Sequence, residues 1–319
     1  MNFQQLRIVR ETVRQDFNLT TVANTLFTSQ PGVSKHIKDL EDELGIEIFV
    51  RRGKRLLGLT EPGKELLTVV ERILLDTQNA RSIADHFSSR DTGNLVIATT
   101  HTQARYALPD VIKRFKREYP KVHLVLRQGS PREIAELLTA GDADIAIATE
   151  WLSSVPDVVA FPYYTWHHAL IVPQGHPLTT LTPLSTITLA DIAAYPIITY
   201  HEGFTGRTNI DHGFADAGLS PDIVLSAIDA DVIKTYVDVG LGIGIVASMA
   251  YHPERDSSLV RLEVPHLFKA NTTRLALRRG VYLRSYAYAF IQALVPGLSE
   301  EKIAEHLRKP PVAGDDFTI

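Results

Sequence analysis

FTSQPGVSKHIKDLEDELGIEIFVRR, residues 27–52, contains a helix that buries one face yet starts without the usual acidic first turn. Val33, Ile37, Leu40 and Leu44 recur at helical spacing. Pro31 stands just inside the expected start, where its missing amide proton costs nothing and its ring presets the helical φ. Thr28, Ser29, Gln30 and Ser34 cluster at the tip, with Lys35, His36 and Lys38 on the solvent side. Free backbone N–H groups and the positive end of the helix dipole suit phosphate there. The short polar side chains are of a length to reach base edges in a major groove. Taken alone, such a helix is equally a capped surface helix; its neighbours have to decide.

Upstream, Phe3, Leu6, Ile8, Val9 and Val13 predict a first amphipathic helix. Thr20 or Thr21 can cap a second that carries Val22, Ala23 and Leu26. Two short helices joined by a tight turn, the second with a polar tip, form a helix-turn-helix pattern. Downstream, Gly45 ends the third helix, and IEIFV and RLLGLT predict two strands around RRGKR. That hairpin is a wing whose tip carries Arg51, Arg52, Lys54 and Arg55. Thr60 can cap a long helix in which Leu66, Val70, Ile73, Thr77, Ala80, Ala84 and Phe87 alternate at spacings of four and three. So narrow a seam favours a partner helix, although packing on its own domain serves as well.

Charge and composition agree with this division. Residues 1–59 carry nine Lys/Arg against seven Asp/Glu, while the whole 319-residue chain has a net charge of −4. A slightly basic end on an acidic body suggests that one end meets a polyanion. There is no cysteine, which excludes disulfides, thiolate metal sites and a Cys nucleophile. No apolar run approaches a membrane span, and MNFQQLRIVRETVRQ carries too much charge for a signal peptide, so the expected compartment is the cytoplasm.

After Gly93 the pattern turns α/β. LVIAT, VHLVLRQG and DIAIAT predict strands separated by helices, with Ser130-Pro131-Arg132-Glu133 as a capping box. A second series runs through HHALIVP, PIITY, a helix near 206–217, DIVLSA, a helix over VIKTYVDVG and IGIVAS. RLALRRG and the helix SYAYAFIQALV follow, and the tail beyond Lys309 is expected to be loose.

LTTVANTLFTSQPGVSKHIKDLEDELGIEIFVRRGKRLLGLTEPG resembles the winged helix-turn-helix of LysR-type transcriptional regulators. ATTHTQARYALP, GFTGR, DADVIKTYV, GLGIGIVA and RRG further resemble the CysB/Cbl subgroup of that family. The expected architecture is an all-α N-terminal winged helix-turn-helix (1–59) and a long linker or dimerisation helix (60–90). An α/β effector-binding domain (91–319) follows, two-lobed and like the periplasmic binding proteins. Lobe I takes about 93–162 and 266–300, and lobe II about 163–265. The resemblance implies a regulator of sulfur-assimilation, cysteine-biosynthesis or sulfonate-utilisation genes. Its expected partners are double-stranded operator DNA and RNA polymerase, and its expected assembly is a dimer of dimers. The implied effector is small and acetylserine-like, sulfate- or thiosulfate-like, or an adenylyl sulfate; no cofactor or metal is implied.

Ligands of open parallel sheets sit off the carboxyl ends of the strands, at helix N-termini. Thr100, Thr102 and Gln103 follow the first strand and can present donors to an anion, although an N-cap is the alternative for any one Thr. Ser130 and Thr149 lie on the same side, Thr205 starts a helix that can face the cleft, and Tyr164 and Trp166 can wall it. His201 stands where the subgroup commonly has Thr or Arg; a titratable imidazole recognises anions differently from either, and an exposed loop histidine is the plain alternative. GLGIGIV at 240–246 follows a helix and precedes a strand, the wrong order for a dinucleotide fingerprint. HEGFT lacks the second His of a zinc-protease motif, and His167-His168 point to opposite faces of a strand. No GxSxG elbow or P-loop occurs, which disfavours an enzyme. A binding protein of this scaffold without regulatory output, and an enzyme built on it, are the rival readings.

Overall fold

A computed structural model describes residues 1–53, 55–88, 91–181, 183–204 and 206–308. Lys54 and Thr205, and the tail beyond 308, lie outside the described residues. The chain divides into two compact units, Met1–Phe87 and Ser88–Ile319.

In the first unit, α1 (Phe3–Arg14) begins with a capping box between Asn2 and Gln5. The next helix, α2 (Leu19–Thr25), is capped by Asn18, whose Oδ1 accepts from the amides of Thr20 and Thr21 at 3.1 and 3.2 Å. The threonines expected to cap are therefore the capped residues: Asn18, two and three positions earlier, takes their free N–H groups. Helix α3 (Gln30–Leu44) ends at Gly45 in the left-handed conformation. Strands β1 (Phe49–Arg52) and β2 (Arg55–Leu59) pair antiparallel as the wing, so the unit is not purely helical. Ile8, Val9, Val22, Val33, Ile37, Leu40, Ile48 and Phe49 close its core. Each such fully buried side chain contributes about 1.5–3 kcal/mol.

The long helix α4 (Glu61–Ser88) is capped by Thr60 Oγ1, which accepts from the Gly63 amide at 3.0 Å. The seam divides along its length. Val70 is fully buried and packs with Leu74 on Leu6 of α1, with Leu66 and Ile73 partly buried beside it. Ala80, Ala84 and Phe87 are exposed. The first half of the seam is thus used within the unit, and only the second half presents an open stripe.

The second unit holds two five-stranded sheets. Lobe I has the order β4 (Val122–Gln128), β3 (Gly93–Thr99), β5 (Ile145–Ala148), β12 (Asn271–Arg278), β6 (Val158–Trp166). Lobe II has the order β11 (Leu259–Glu263), β7 (His168–Pro173), β10 (Ile243–Ala247), β8 (Ile197–Tyr200), β9 (Ile223–Ala227). The βαβ steps are parallel as the alternation implies, but β12 lies antiparallel to β5 and β6, and β7 antiparallel to β10 and β11. Both sheets are therefore mixed. The cause is the connection: the chain leaves lobe I along β6, turns at His167 into β7, and returns along β12. β6 stays paired to β12 as far as Trp166, opposite Asn271, beyond the expected lobe boundary at 162. Helices α5 (Pro109–Glu118), α6 (Pro131–Ala140) and α10 (Ser285–Leu294) cover the sheet of lobe I, and α7 (Leu189–Ala193), α8 (Arg207–Asp216) and α9 (Ala230–Asp238) that of lobe II.

Candidate functional site

At the helix-turn-helix, Ser29 is the N-cap of α3 and its Oγ accepts from the Gly32 amide at 3.2 Å. Gln30 Nε2 donates to Ser34 Oγ at 3.0 Å, so the two polar side chains at the tip hold each other in place. Gln30, Pro31, Lys35 and Lys38 are exposed, Thr28 and Ser34 half-buried, and no acidic residue enters the first turn. The tip therefore offers donors, acceptors and positive potential to solvent together. On the wing, Arg52 and Arg55 are exposed and face each other across the hairpin end. Arg51 differs from the expectation of a free cation. Its Nη2 binds Glu41 Oε2 at 2.7 Å, while Glu41 Oε1 accepts from the Ile48 and Phe49 amides. Glu41 thus ties the wing to α3 and neutralises one of its charges.

The second unit opens a cavity of about 620 Å³, within the range typical of small-ligand sites. Its walls come from both lobes: Pro131 and Arg132 at the start of α6 with Thr149 and Trp151, and, opposite, Gly206–Asn209 at the start of α8 with Phe204, joined by Lys269–Asn271. Two helix N-termini thus open on one space, and the lining among the described residues includes the cations Arg132, Arg207 and Lys269. Arg207 is buried and held by Asp211 (2.7 Å) and the Tyr200 carbonyl (2.5 Å). Asn209 Nδ2 donates to Asn271 Oδ1 at 2.9 Å, which fixes the start of α8 against the strand that leads back to lobe I. Gly206, the N-cap of α8, has φ +69°, and a Cβ there would run into Asn271 Oδ1.

Of the predicted ligand residues, Thr149 lines this cavity. Thr100, Thr102 and Gln103 do not; all three are buried. Gln103 Nε2 donates to Thr273 Oγ1 (3.2 Å), its Oε1 accepts from the Tyr164 hydroxyl (2.7 Å), and Trp166 Nε1 donates to the same Thr273 oxygen (3.1 Å). Gln103, Tyr164 and Trp166 are therefore brought together, but as an internal network around Thr273. Burial pushes the Tyr164 hydroxyl up to about 12, so it stays a neutral donor. Thr102 Oγ1 lies against the buried Tyr200 hydroxyl without a well-aligned hydrogen bond. Ser130 caps α6, accepting from the Glu133 amide at 3.2 Å while its own amide donates to Glu133 Oε2. His201 is exposed, outside the cavity lining, and its Nδ1 lies 3.0 Å from the Glu202 carbonyl. Sequence reasoning missed Lys269, Asn271 and Thr273, which occupy no motif; Arg132 was visible only inside the capping box at 130–133, and Arg207 only as the last residue of GFTGR.

Thr102 precedes, without a side-chain cap bond, a π-helical turn, Gln103–Ala107, closed by the Leu108 amide on the Gln103 carbonyl at 3.0 Å. Among the described residues, His101, Asp229 and Asp231 have ligand atoms within 4.8 Å of one another, a grouping of metal-ligand type. Asp231 is already engaged by Arg105, Tyr106 and Lys234, which makes the place unfavourable for a cation. His167 and His168 share no site: His168 is buried beside Asn271.

Residues 3–64 match the model of the bacterial regulatory helix-turn-helix proteins of the lysR family, and residues 88–299 match the LysR substrate-binding domain. The chain belongs to the LysR family of DNA-binding transcriptional regulators. It is 60% identical over 309 residues to the HTH-type transcriptional regulator SsuR of Burkholderia cenocepacia, covering 97% of this chain and 99% of that protein. It is 57% identical over 319 residues to the regulator Cbl of Escherichia coli K12, covering all of both chains, and 54% identical over 308 residues to CysB of B. cenocepacia, covering 97% of each. The crystal structure of the cofactor-binding domain of Cbl superposes with a TM-score of 0.65 at 53% identity, over 68% of this chain and 93% of that one. Full-length OxyR of Pseudomonas aeruginosa shares the fold, with a TM-score of 0.67 at 21% identity over 92% of this chain and 97% of that one. Among the described residues no helix is long and apolar enough to cross a membrane.

Proposed function

We propose that this regulator controls genes of sulfur assimilation or sulfonate utilisation in the cytoplasm, and that it senses a small anion in the cavity between its effector lobes. The observation that carries the effector class is the cavity wall: two opposed helix N-termini and three cationic side chains among its described residues. The sulfur assignment rests on the kinship with SsuR, Cbl and CysB and on the motifs shared with that subgroup. Binding draws the lobes together, alters packing between effector domains of a dimer of dimers, and so changes half-site spacing or DNA bending at the operator, where RNA polymerase reads the outcome. The protein works by binding, not by turnover.

Calorimetry on the full chain with acetylserine, sulfate, thiosulfate and adenylyl sulfate tests the reading. One member of the panel should bind, and Thr149→Ala with Arg132→Gln should weaken it by about ten- to a hundredfold, the worth of a hydrogen bond to a charged group. Operator binding without ligand should survive both changes. Heat from none of the panel, or affinity untouched by both substitutions, would refute the assignment of the cavity.

A further inference from the structure

We propose that Asp231, in the first turn of α9 in lobe II, is a latch that grips the π-helical turn of lobe I and sets how firmly the lobes hold together. Arg105 Nε lies 2.5 Å from Asp231 Oδ2, the Tyr106 hydroxyl donates to Oδ1 at 2.7 Å, and His101 Nε2 stands 3.5 Å from Oδ2. All three partners belong to the segment that follows β3 of lobe I. From its own lobe, Asp231 has Lys234 at 3.4 Å, itself buried and paired with Asp256 at 2.9 Å. Apolar packing acts at the same place. The Tyr106 ring sits on the lobe II cluster of Ile198, Tyr200, Ile233 and Val246, with Lys234 Nζ 5.6 Å from its centroid.

A partly exposed carboxylate with one cation is worth little, but one that closes three contacts across a seam has a geometry each partner helps to fix. The helix does not need Asp231 for its cap, because Asp229 Oδ1 accepts from the Val232 amide at 2.9 Å. The carboxylate is thus available to the other lobe. The turn it grips is π-helical, a geometry that seldom persists without outside support. The same turn carries Gln103 into the Tyr164–Thr273–Trp166 network. Releasing Asp231 therefore loosens both the closure of the lobes and the anchoring of that network. This holds whatever ligand the cavity takes.

The test is amide hydrogen exchange on the full chain without added ligand, followed in the segments 100–108 and 229–238. Asp231→Asn in lobe II should speed exchange in 100–108, and Arg105→Gln with Tyr106→Phe in lobe I should speed it in 229–238. Each effect should be at least about two- to fivefold, the range of one partly exposed ion pair. Combining the three changes should add little to the larger single effect, since all remove one contact. Exchange in α10, remote from the contact, should stay as in the parent chain and report an intact fold. Effects confined to the altered lobe, or effects that simply add, would overturn the latch.

Discussion

Neutralising the wing tests the DNA interface most directly, because the structure separates its cations into two kinds. Arg52 and Arg55 are exposed and face each other at the hairpin end, an arrangement of like charges that is unfavourable until an anion lies between them. Arg51 is already paired with Glu41 at 2.7 Å. If Arg52 and Arg55 each neutralise one phosphate, replacing both by Gln should flatten the salt dependence of operator affinity by roughly 1.8 per half-site, at about 0.9 per phosphate. Between roughly 50 and 200 mM salt that slope difference amounts to about tenfold in affinity per half-site. Specific and nonspecific duplexes should lose affinity alike, since phosphate contacts position without specifying. Arg51→Gln should change the slope by clearly less, and instead destabilise the N-terminal unit by on the order of 1 kcal/mol as Glu41 loses its partner. Fluorescence anisotropy with a labelled operator at several salt concentrations reads all three quantities. An unchanged slope in the double variant, or an Arg51 variant that flattens it equally, would refute this division of the wing.

Other consequences are as direct. Gly206→Ala should cost about 1–2 kcal/mol for the left-handed backbone alone, with displacement of Asn271 in addition, and lower the melting temperature of the effector domain; an unchanged melt would contradict the close approach seen at α8. Thr273→Val should leave the Gln103 and Trp166 donors without their acceptor, at about 1–3 kcal/mol each, again read by thermal unfolding. Ala84→Asp with Phe87→Asp should dissociate oligomers in sedimentation without altering the melt of the N-terminal unit, whereas Val70→Asp should unfold that unit; retained oligomers would remove the exposed stripe from the assembly. Burial works to raise the Asp231 carboxyl, but Tyr106, Lys234 and Arg105 outweigh it and hold it below its usual value. The contribution of Asp231 to stability is then full above its unfolded value near 3.9 and lost as pH falls through the lower folded one. The stability gap to Asp231→Asn should accordingly shrink below about pH 4, and a gap that widens there would reverse the sign.

Local chemistry made much of this architecture legible from the chain. Pro31 and Ser29 announce the start of α3, Gly45 its end, and Ser130 with Glu133 the start of α6, because each acts on backbone groups a few residues away. The cap of α2 was misplaced since Asn18, Thr20 and Thr21 are all competent caps, and only geometry chooses among them. The antiparallel insertion of β12 could not be read from alternation, which reports element type and not pairing. The cavity lining is the least legible. Gln103 and Thr102 follow a strand, but whether such side chains face a cavity or the interior depends on partners such as Thr273 and Tyr200, far away in sequence. The same holds for Lys269 and Asn271, which carry no motif and reach the cavity through the return path of the chain.

That return path also bears on how the protein is made. β12 lies between β5 and β6 in lobe I, yet it is synthesised after the whole of lobe II. On a growing chain the lobe I sheet must wait with β5 unpaired on one side, an open edge that invites wrong pairing. Lobe II, continuous from β7 to β11, can close first and carry β12 into place. Completion of lobe I is then a docking of distant segments, the kind of contact that folds slowly. A nascent chain stopped before Asn271 should be the species that needs a chaperone, and one released beyond Arg278 should not.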